Sequence, residues 1–288
     1  MFRADHPKAK ERTRKMIRGT RMRLAIAFVT ALATAGVAAG CGDDNGGGGD
    51  LGLINEGELL AGIDTPFPPF EKGHPPNVTG YDIDVINAVA DELGLEVVQQ
   101  ETAFETIFRD VAQGKFDVAV AASTITPGRE RTVDFSDPYY LADQSLLVAE
   151  GSDIGSQEDL GGQIVGAQDG TTGETYANDE TDASEVRGYP GGTDAINALR
   201  AGQIDAVIVD SPVAEDAVQK QGGIEIAEKI VTRELYGFSF ATDRDALREK
   251  VNEALTTLKE DGTLTGLYKK YFPDQSPAPV LKATHEPT

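Results

Sequence analysis

The sequence has no tryptophan, three histidines and one cysteine in 288 residues, and each shortage removes a class of chemistry. One cysteine cannot close a disulfide within the chain, so packing alone must hold the fold together. The histidines are His6 in a basic leader, His74 in a Pro-Gly loop and His285 near the C-terminus. They form no ligand set with metal-binding spacing, so neither a metal nor another cofactor is expected. There is no Gly-x-Ser-x-Gly elbow, no Cys-His pair and no histidine base for hydrolysis, and no Gly-Lys-Ser/Thr phosphate loop. Positive charge is scarce as well. The formal net charge is −22 and becomes −29 when a leader of net +7 is removed. Phosphate backbones are bound by clustered Lys and Arg, so nucleic acid is excluded as a partner.

What is present begins with a secretory leader. Residues 1–23 hold nine Lys or Arg against Asp5 and Glu11, and Leu24 to Ala39 carry no charge, the pattern of a signal peptide. Those sixteen uncharged residues fall short of the roughly 20 that a spanning helix needs. They run into Val-Ala-Ala-Gly before Cys41, which resembles the lipobox of bacterial lipoproteins. Residues 1–40 are expected to be a lipoprotein signal peptide, leaving Cys41 as the lipidated first mature residue on the outer face of the cell membrane. A thioether-linked lipid plus an acyl chain supplies the two signals that stable anchoring requires. An ordinary buried cysteine behind an uncleaved anchor is the competing reading. Residues 41–50 contain four consecutive glycines and read as a flexible tether. Residues 275–288 hold three prolines and no periodicity, and read as an extended or disordered tail. The body, about 51–274, is long enough for one large domain or two lobes.

Within the body, short strands alternate with helices, the grammar of an α/β fold. Strands are expected at Leu59–Asp64, Leu95–Gln99, Val118–Ala122, Ile164–Ala167 and Ala206–Val209. Helices are expected at Tyr81–Leu93, Thr106–Gln113, Thr193–Ala201, Pro212–Gln221 and Arg244–Lys259. The first has Ile83, Ile86, Val89, Ala90 and Leu93 at helical spacing and a glycine stop at Gly94.

The most informative stretch is Val118 to Tyr140, VAVAASTITPGRERTVDFSDPYY. A wholly apolar strand, as expected where helices cover both faces of a sheet, runs into Ser123, Thr124 and Thr126 and then Arg129. Hydroxyls beside a guanidinium at a strand end suit a small anionic or zwitterionic ligand, because the planar fork grips a carboxylate with two parallel hydrogen bonds. A surface Arg129 pairing with Asp134 or Asp137 is the plainer reading. An internal echo adds to the first reading: VAQGKFDVAVA at 111–121 and LRAGQIDAVIV at 199–209 share one helix-end, glycine, turn and strand pattern. The first runs toward Arg129 and the second into Asp210. Ligands sit at the carboxyl ends of strands in open α/β sheets, so the two copies would present a cation and an anion at equivalent places. An amino-acid zwitterion fits that pair.

From about Leu59 to Phe272 the chain resembles bacterial extracellular solute-binding protein family 3, especially its glutamine-binding and histidine- or lysine-arginine-ornithine-binding members. The resemblance is carried in order by IDTPFPPFE (63–71), GYDIDVINAVADELG (80–94), ASTITPGRERTVDFSDPYY (122–140), QDGTTGETYA (168–177), IDAVIVDSP (204–212), YGFSFA (236–241) and LKEDGTLTGLYKKYF (258–272). It implies a two-lobed periplasmic-binding-protein-like fold of type II with a ligand cleft between the lobes. Lobe 1 would span 51–138 and 237–274, lobe 2 would span 144–231, and hinges would lie at 139–143 and 232–236. Arg129 would bind the ligand α-carboxylate, helped by Thr124 and by Thr171 and Thr172. Asp210 and the Ala122 carbonyl would take the α-ammonium. Phe67 and Phe104 would stack on the ligand side chain and Asp64 would meet its far end. Ser123 and Gln168 occupy further ligand-site positions; glutamine binders tend to have lysine where this chain has Gln168 and histidine where it has Val209.

Each of these residues also has a plainer role. Phe67 and Phe104 suit a core, Asp64 suits a turn, Asp210 suits a helix cap before Ser211-Pro212, and Thr171 with Thr172 suits a turn beside Gly170. The resemblance implies no catalysis. It implies instead the extracytoplasmic component of an importer that closes on a polar amino acid and delivers it to a membrane permease with separate ATPase subunits. A neutral or cationic amino acid is expected, since Asp64 would repel a second ligand carboxylate. A monomer is expected. The alternatives are a cyclohexadienyl or arogenate dehydratase-like enzyme and a ligand-sensing receptor module.

Overall fold

The computed structural model of the protein describes residues 51–285. The leader, Cys41 and the tether lie outside the described residues. The chain runs β1 (Glu58–Ile63), α1 (Tyr81–Leu93), β2 (Glu96–Glu101), α2 (Phe104–Ala112), β3 (Val118–Val120) and β4 (Asp134–Phe135), then β5 (Tyr140–Ala149), β6 (Ile164–Gln168), α3 (Thr172–Glu180), β7 (Glu185–Tyr189), α4 (Gly192–Arg200) and β8 (Ala206–Asp210). It finishes with α5 (Ser211–Gln221), β9 (Ile224–Tyr236), β10 (Ser239–Phe240), α6 (Asp245–Glu260), α7 (Thr263–Tyr271) and α8 (Ala278–Leu281).

These strands form two sheets, ordered β2-β1-β3-β10-β4 and β7-β6-β8-β5-β9, each the floor of one lobe. In both, the first three strands are parallel and an antiparallel strand follows. The fold is thus α/β and two-lobed. Helix α1 has the limits its apolar spacing predicts, and Gly94 ends it in a left-handed conformation (φ 69°) with its N–H on the last-turn carbonyls.

Several elements escaped the sequence pattern. Strand β5 mixes Asp143, Gln144 and Ser145 with apolar residues, and β9 carries charged side chains at irregular spacing. Helix α3 buries only Gly173 and Ala177, so it has no apolar stripe to read. The segment from Gln275 read as an extended or disordered tail is folded as far as the described residues reach. Val280 is fully buried in the core, Tyr140 donates to Gln275 (2.8 Å) and Lys259 donates to the Ala283 carbonyl (2.9 Å). Its prolines hid Val280 and Leu281, which pack against the core.

The internal echo corresponds to one device built twice. Asp117, just before β3, accepts the Leu60 N–H of β1 (3.0 Å), and Asp205, just before β8, accepts the Ile164 N–H of β6 (2.8 Å). The apolar residue before each aspartate, Phe116 or Ile204, lies against a glycine of the neighbouring strand. A Cβ on Gly62 would stand 2.4 Å from the Phe116 ring, and one on Gly166 would stand 2.5 Å from the Ile204 side chain. Glycine here makes room for a neighbour.

The lobes meet over an aromatic cluster. The chain passes from the first sheet to the second at Tyr139–Tyr140 and returns at Tyr236–Gly237, side by side, with the Tyr139 N–H on the Tyr236 carbonyl (3.1 Å). Phe70, Tyr81, Tyr139, Tyr140, Tyr236 and Phe238 are all fully buried there. Tyr139 stacks on Phe238 at 4.3 Å and Phe70 meets Tyr140 edge-on at 5.0 Å. Such pairs add about 0.5–1.5 kcal/mol each beyond area burial, so both crossings leave a fixed base.

Because overpacking a tight core costs about 1–3 kcal/mol, Gly62→Ala and Gly166→Ala should each lower the thermal unfolding temperature by several degrees. Gly57→Ser, at a turn glycine facing open space, measured in the same way, should show a smaller loss, coming only from its left-handed backbone.

Candidate functional site

The carboxyl ends of β1, β3, β6 and β8 converge between the lobes on a narrow cavity. Its wall is Asp64, Phe67, Phe104, Ala121, Ala122, Thr124, Arg129, Gln168, Thr171, Thr172 and Asp210. Ten of the eleven site residues expected from the sequence are therefore brought together. Ser123 is the exception and is corrected here: it is fully buried, and its hydroxyl turns back to the Ala121 carbonyl (3.3 Å). A wider groove on the other side of Arg129, lined in part by Tyr176, Arg233 and His285, is larger. The smaller cavity is the better candidate because its charged groups converge.

Lobe 1 supplies the guanidinium. Arg129 opens a short 3-10 turn after Gly128 and lies near the faces of Phe104 and Phe108, at 5.1 and 4.7 Å from the ring centroids. Its Nη1 donates to the Thr124 carbonyl (2.7 Å) and its Nη2 crosses to the Gly170 carbonyl of lobe 2 (3.1 Å). No ion pair with Asp134 or Asp137 is found among the described residues; Asp137 accepts instead from the main chain of His285 (2.7 Å). Two main-chain carbonyls occupy two of the five N–H donors, and the rest remain for a carboxylate. Burial lowers the Arg129 pKa to about 10 while Glu234 and Asp210 pull it back up, so the group stays charged.

Lobe 2 supplies the opposing carboxylate. Asp210 stands at the N-terminus of α5 yet makes no side-chain cap there, so the capping role does not apply. Its oxygens instead accept from the Gln144 amide and the Tyr236 hydroxyl. Burial raises its pKa to about 7, and neighbouring Glu234 adds to this, against the pull of Tyr236, Gln144 and Arg129. Thr171 does fill the structural role its sequence allows, capping α3 by accepting the Glu174 N–H (3.1 Å).

At the other end, Asp64 accepts from the Gln168 amide across the lobes (2.7 Å). Burial lifts its pKa to about 6, against the hydrogen bonds from Gln168 and the Phe104 N–H. Phe67 and Phe104 are 7% and 6% exposed, so they are packed side chains that also face the cavity. Thr193 donates to the Pro66 carbonyl (3.2 Å). With the Arg129–Gly170 and Gln168–Asp64 bonds it makes a third contact from lobe to lobe, so the two halves stand closed on each other.

The sequence reading missed Glu234, Gln144, Tyr236 and the pair behind the cavity. Asp82 of α1 accepts the Ala122 N–H (2.8 Å) and the Tyr139 hydroxyl (2.7 Å), holding the strand end where Ala122 adopts a left-handed backbone, φ 43°. Beside it lies Glu71, fully buried, whose carboxyl has no hydroxyl or amide donor within reach. Burial and the Asp82 charge push the Glu71 pKa well up, so Glu71 holds a proton and offers it to Asp82. Only the motif-like placement of acids in PPFE and GYDID hinted at this.

The chain matches the family model for bacterial extracellular solute-binding proteins, family 3, over residues 59–274. It belongs to that family. It is 30% identical over 231 residues to the L-cystine-binding protein TcyJ of Escherichia coli strain K12, an alignment covering 77% of this chain and 87% of TcyJ. An ancestral arginine-binding protein bound to glutamine superposes with a TM-score of 0.73 at 36% identity, covering 76% of this chain and all of that one. AncCDT-1, described as an ancestral amino acid-binding protein and a precursor of cyclohexadienyl dehydratase, gives 0.70 at 35% identity, covering 75% of this chain and 96% of that one. The two-lobed architecture is thus the type II periplasmic-binding fold. Among the described residues no helix is long and apolar enough to cross a membrane, and no group of three His, Cys, Asp or Glu could hold a metal ion.

Asp64, Glu71, Asp82 and Asp210 all bind protons more tightly folded than unfolded, so their contribution to stability is greatest below pH 4 and is lost as pH rises through their raised pKa values. Between pH 8 and pH 5 the unfolding temperature should therefore climb, through the range near 6 and 7 where Asp64 and Asp210 titrate. Glu71→Gln, which imitates the protonated acid, should flatten part of that climb in a series of melts.

Proposed function

We propose that this chain is the extracytoplasmic substrate-binding component of an ABC importer for a polar amino acid, neutral or cationic. Arg129 grips the α-carboxylate, and Asp210 with the Ala122 carbonyl receives the α-ammonium. Phe67 and Phe104 flank the side chain, and Asp64 with Gln168 meets its far end. One observation carries the reading: the guanidinium of one lobe and a buried carboxylate of the other line a single narrow cavity.

The energetics support capture by closure. Each charge-assisted hydrogen bond is worth about 1.5–3 kcal/mol. Inverting an open-closed equilibrium from 1:99 to 99:1 takes about 5.5 kcal/mol, within reach of roughly two to four such bonds divided between the lobes. Closure pivots on the paired crossings near Tyr139–Asp143 and Thr232–Tyr236, over the packed aromatic base. The closed form is delivered to a membrane permease driven by separate ATPase subunits. Cys41 carries the lipid that keeps the protein beside that permease.

The relatives' names support an amino-acid ligand, since they bind cystine, arginine or glutamine. Glutamate and aspartate are disfavoured by Asp64, which would lie against a second carboxylate. The neighbour whose name touches enzyme chemistry is itself an amino acid-binding protein, which weighs toward binding rather than elimination chemistry.

Calorimetry with the twenty amino acids tests the proposal. Tight binding of glutamate alone, or of none, would overturn it. Arg129→Ala should weaken binding of the best ligand by about 100-fold or more, through loss of two charge-assisted bonds, while the melting curve stays cooperative. Cys41→Ser should move the protein from the membrane fraction to the soluble one without changing its affinity; retention in the membrane would refute the anchor.

A further inference from the structure

Glu234 is only 9% exposed and is the best-connected carboxylate near the cavity, although nothing in the ligand reading uses it. It lies near the end of β9, where the chain returns to the first lobe. Its Oε2 accepts from the hydroxyls of Thr124 in lobe 1 (2.7 Å) and Thr172 in lobe 2 (2.6 Å). Its Oε1 accepts from Thr232 (2.9 Å) and from the Gln144 amide (2.9 Å). That same amide also donates to Asp210. A primary amide has two hydrogens; the two carboxylates are its near acceptors, with the Thr172 hydroxyl oxygen a third and longer one at 3.4 Å. The reversed amide would set its carbonyl against both, so the network fixes its orientation.

We infer that Glu234 is a positioning residue for the ligand ammonium. It draws the hydroxyl protons of Thr124 and Thr172 away from the cavity and, through Gln144, aims the carboxylate of Asp210 into it. A hydroxyl has one proton and two lone pairs. With the proton committed to Glu234, both threonines face the cavity as acceptors. They can receive an ammonium but cannot donate to a carboxylate, which leaves the α-carboxylate to Arg129 and main-chain N–H groups. The ammonium end thus gains two hydroxyl acceptors from opposite lobes beside Asp210, and the polarity of the site is set by a residue that does not touch the ligand.

The inference rests on the amino-acid-binding reading, and the experiment separates the two. Affinities of the full protein for L-arginine, L-lysine, L-histidine and L-glutamine are measured from pH 5 to pH 8.5 for wild type, Glu234→Gln and Gln144→Met. The titratable groups facing Asp210 are the charged Glu234 and Arg129 and the neutral Tyr236 hydroxyl, and the variants change one neighbour at a time. Glu234→Gln should weaken binding about 10-fold at pH 8, the equivalent of one charge-assisted bond. It should also move the acid-side loss of affinity to lower pH, because Asp210 loses a negative neighbour. Gln144→Met should weaken binding too but move that loss to higher pH, because Asp210 loses a donor. In an Asp210→Asn background, Glu234→Gln should leave the pH profile unmoved. A Glu234→Gln variant with wild-type affinity, or a weakened one with an unmoved pH profile, overturns the inference; the second result would mark a purely structural hinge residue. Should Glu234→Gln fail to fold, the shift in Gln144→Met decides, and an unmoved profile there counts against it. If wild type binds none of the four ligands, the functional reading itself falls, and this inference with it.

Discussion

Everything in this molecule is arranged around holding unlike charges out of water on opposite sides of one narrow cavity. A desolvated carboxylate such as Asp210 is costly to keep ionised, and its pKa near 7 measures that cost. Hydrogen bonds from Gln144 and Tyr236 offset part of it. Arg129 is relieved in the same way by two carbonyls and two aromatic faces. What remains uncompensated on each side is what the proposed zwitterionic ligand would supply.

The fold serves that arrangement at a distance. Asp82 reaches from α1 to the end of β3, holds the N–H of left-handed Ala122 and receives the Tyr139 hydroxyl. One buried carboxylate thus ties the strand that presents Thr124 and Arg129 to the first crossing between lobes. Glu71, kept protonated beside it, allows this without a second full charge in the interior. The matched pairs Asp117–Leu60 and Asp205–Ile164 show both sheets built by one rule. Equivalent strand ends therefore arrive at the cavity from both sides.

Much of this was legible in the residues. Helical spacing gave α1 its limits, the apolar runs gave the parallel strands, and the motifs converging on Arg129 and Asp210 named nearly all of the cavity wall. The pattern failed where elements lack a clean apolar period. Strand β9 carries its charges at irregular spacing, α3 has almost no buried face, and the segment after Gln275 has few apolar side chains. Ser123 was misread because a hydroxyl at a strand end can face either way, and here it turns to its own main chain.

By itself the sequence determined the α/β class, the doubled helix-turn-strand unit and the chemistry available to the site, because periodicity and local motifs are properties of neighbouring residues. Only the tertiary structure decided which carboxylates share a donor. Gln144 and Glu234 are 90 residues apart in the chain, and Thr124 and Glu234 are 110 apart. No local pattern records that pairing β5 with β9 in one sheet, and bridging Thr124 to Tyr236 where the chain crosses between sheets, brings these residues within a hydrogen bond of each other.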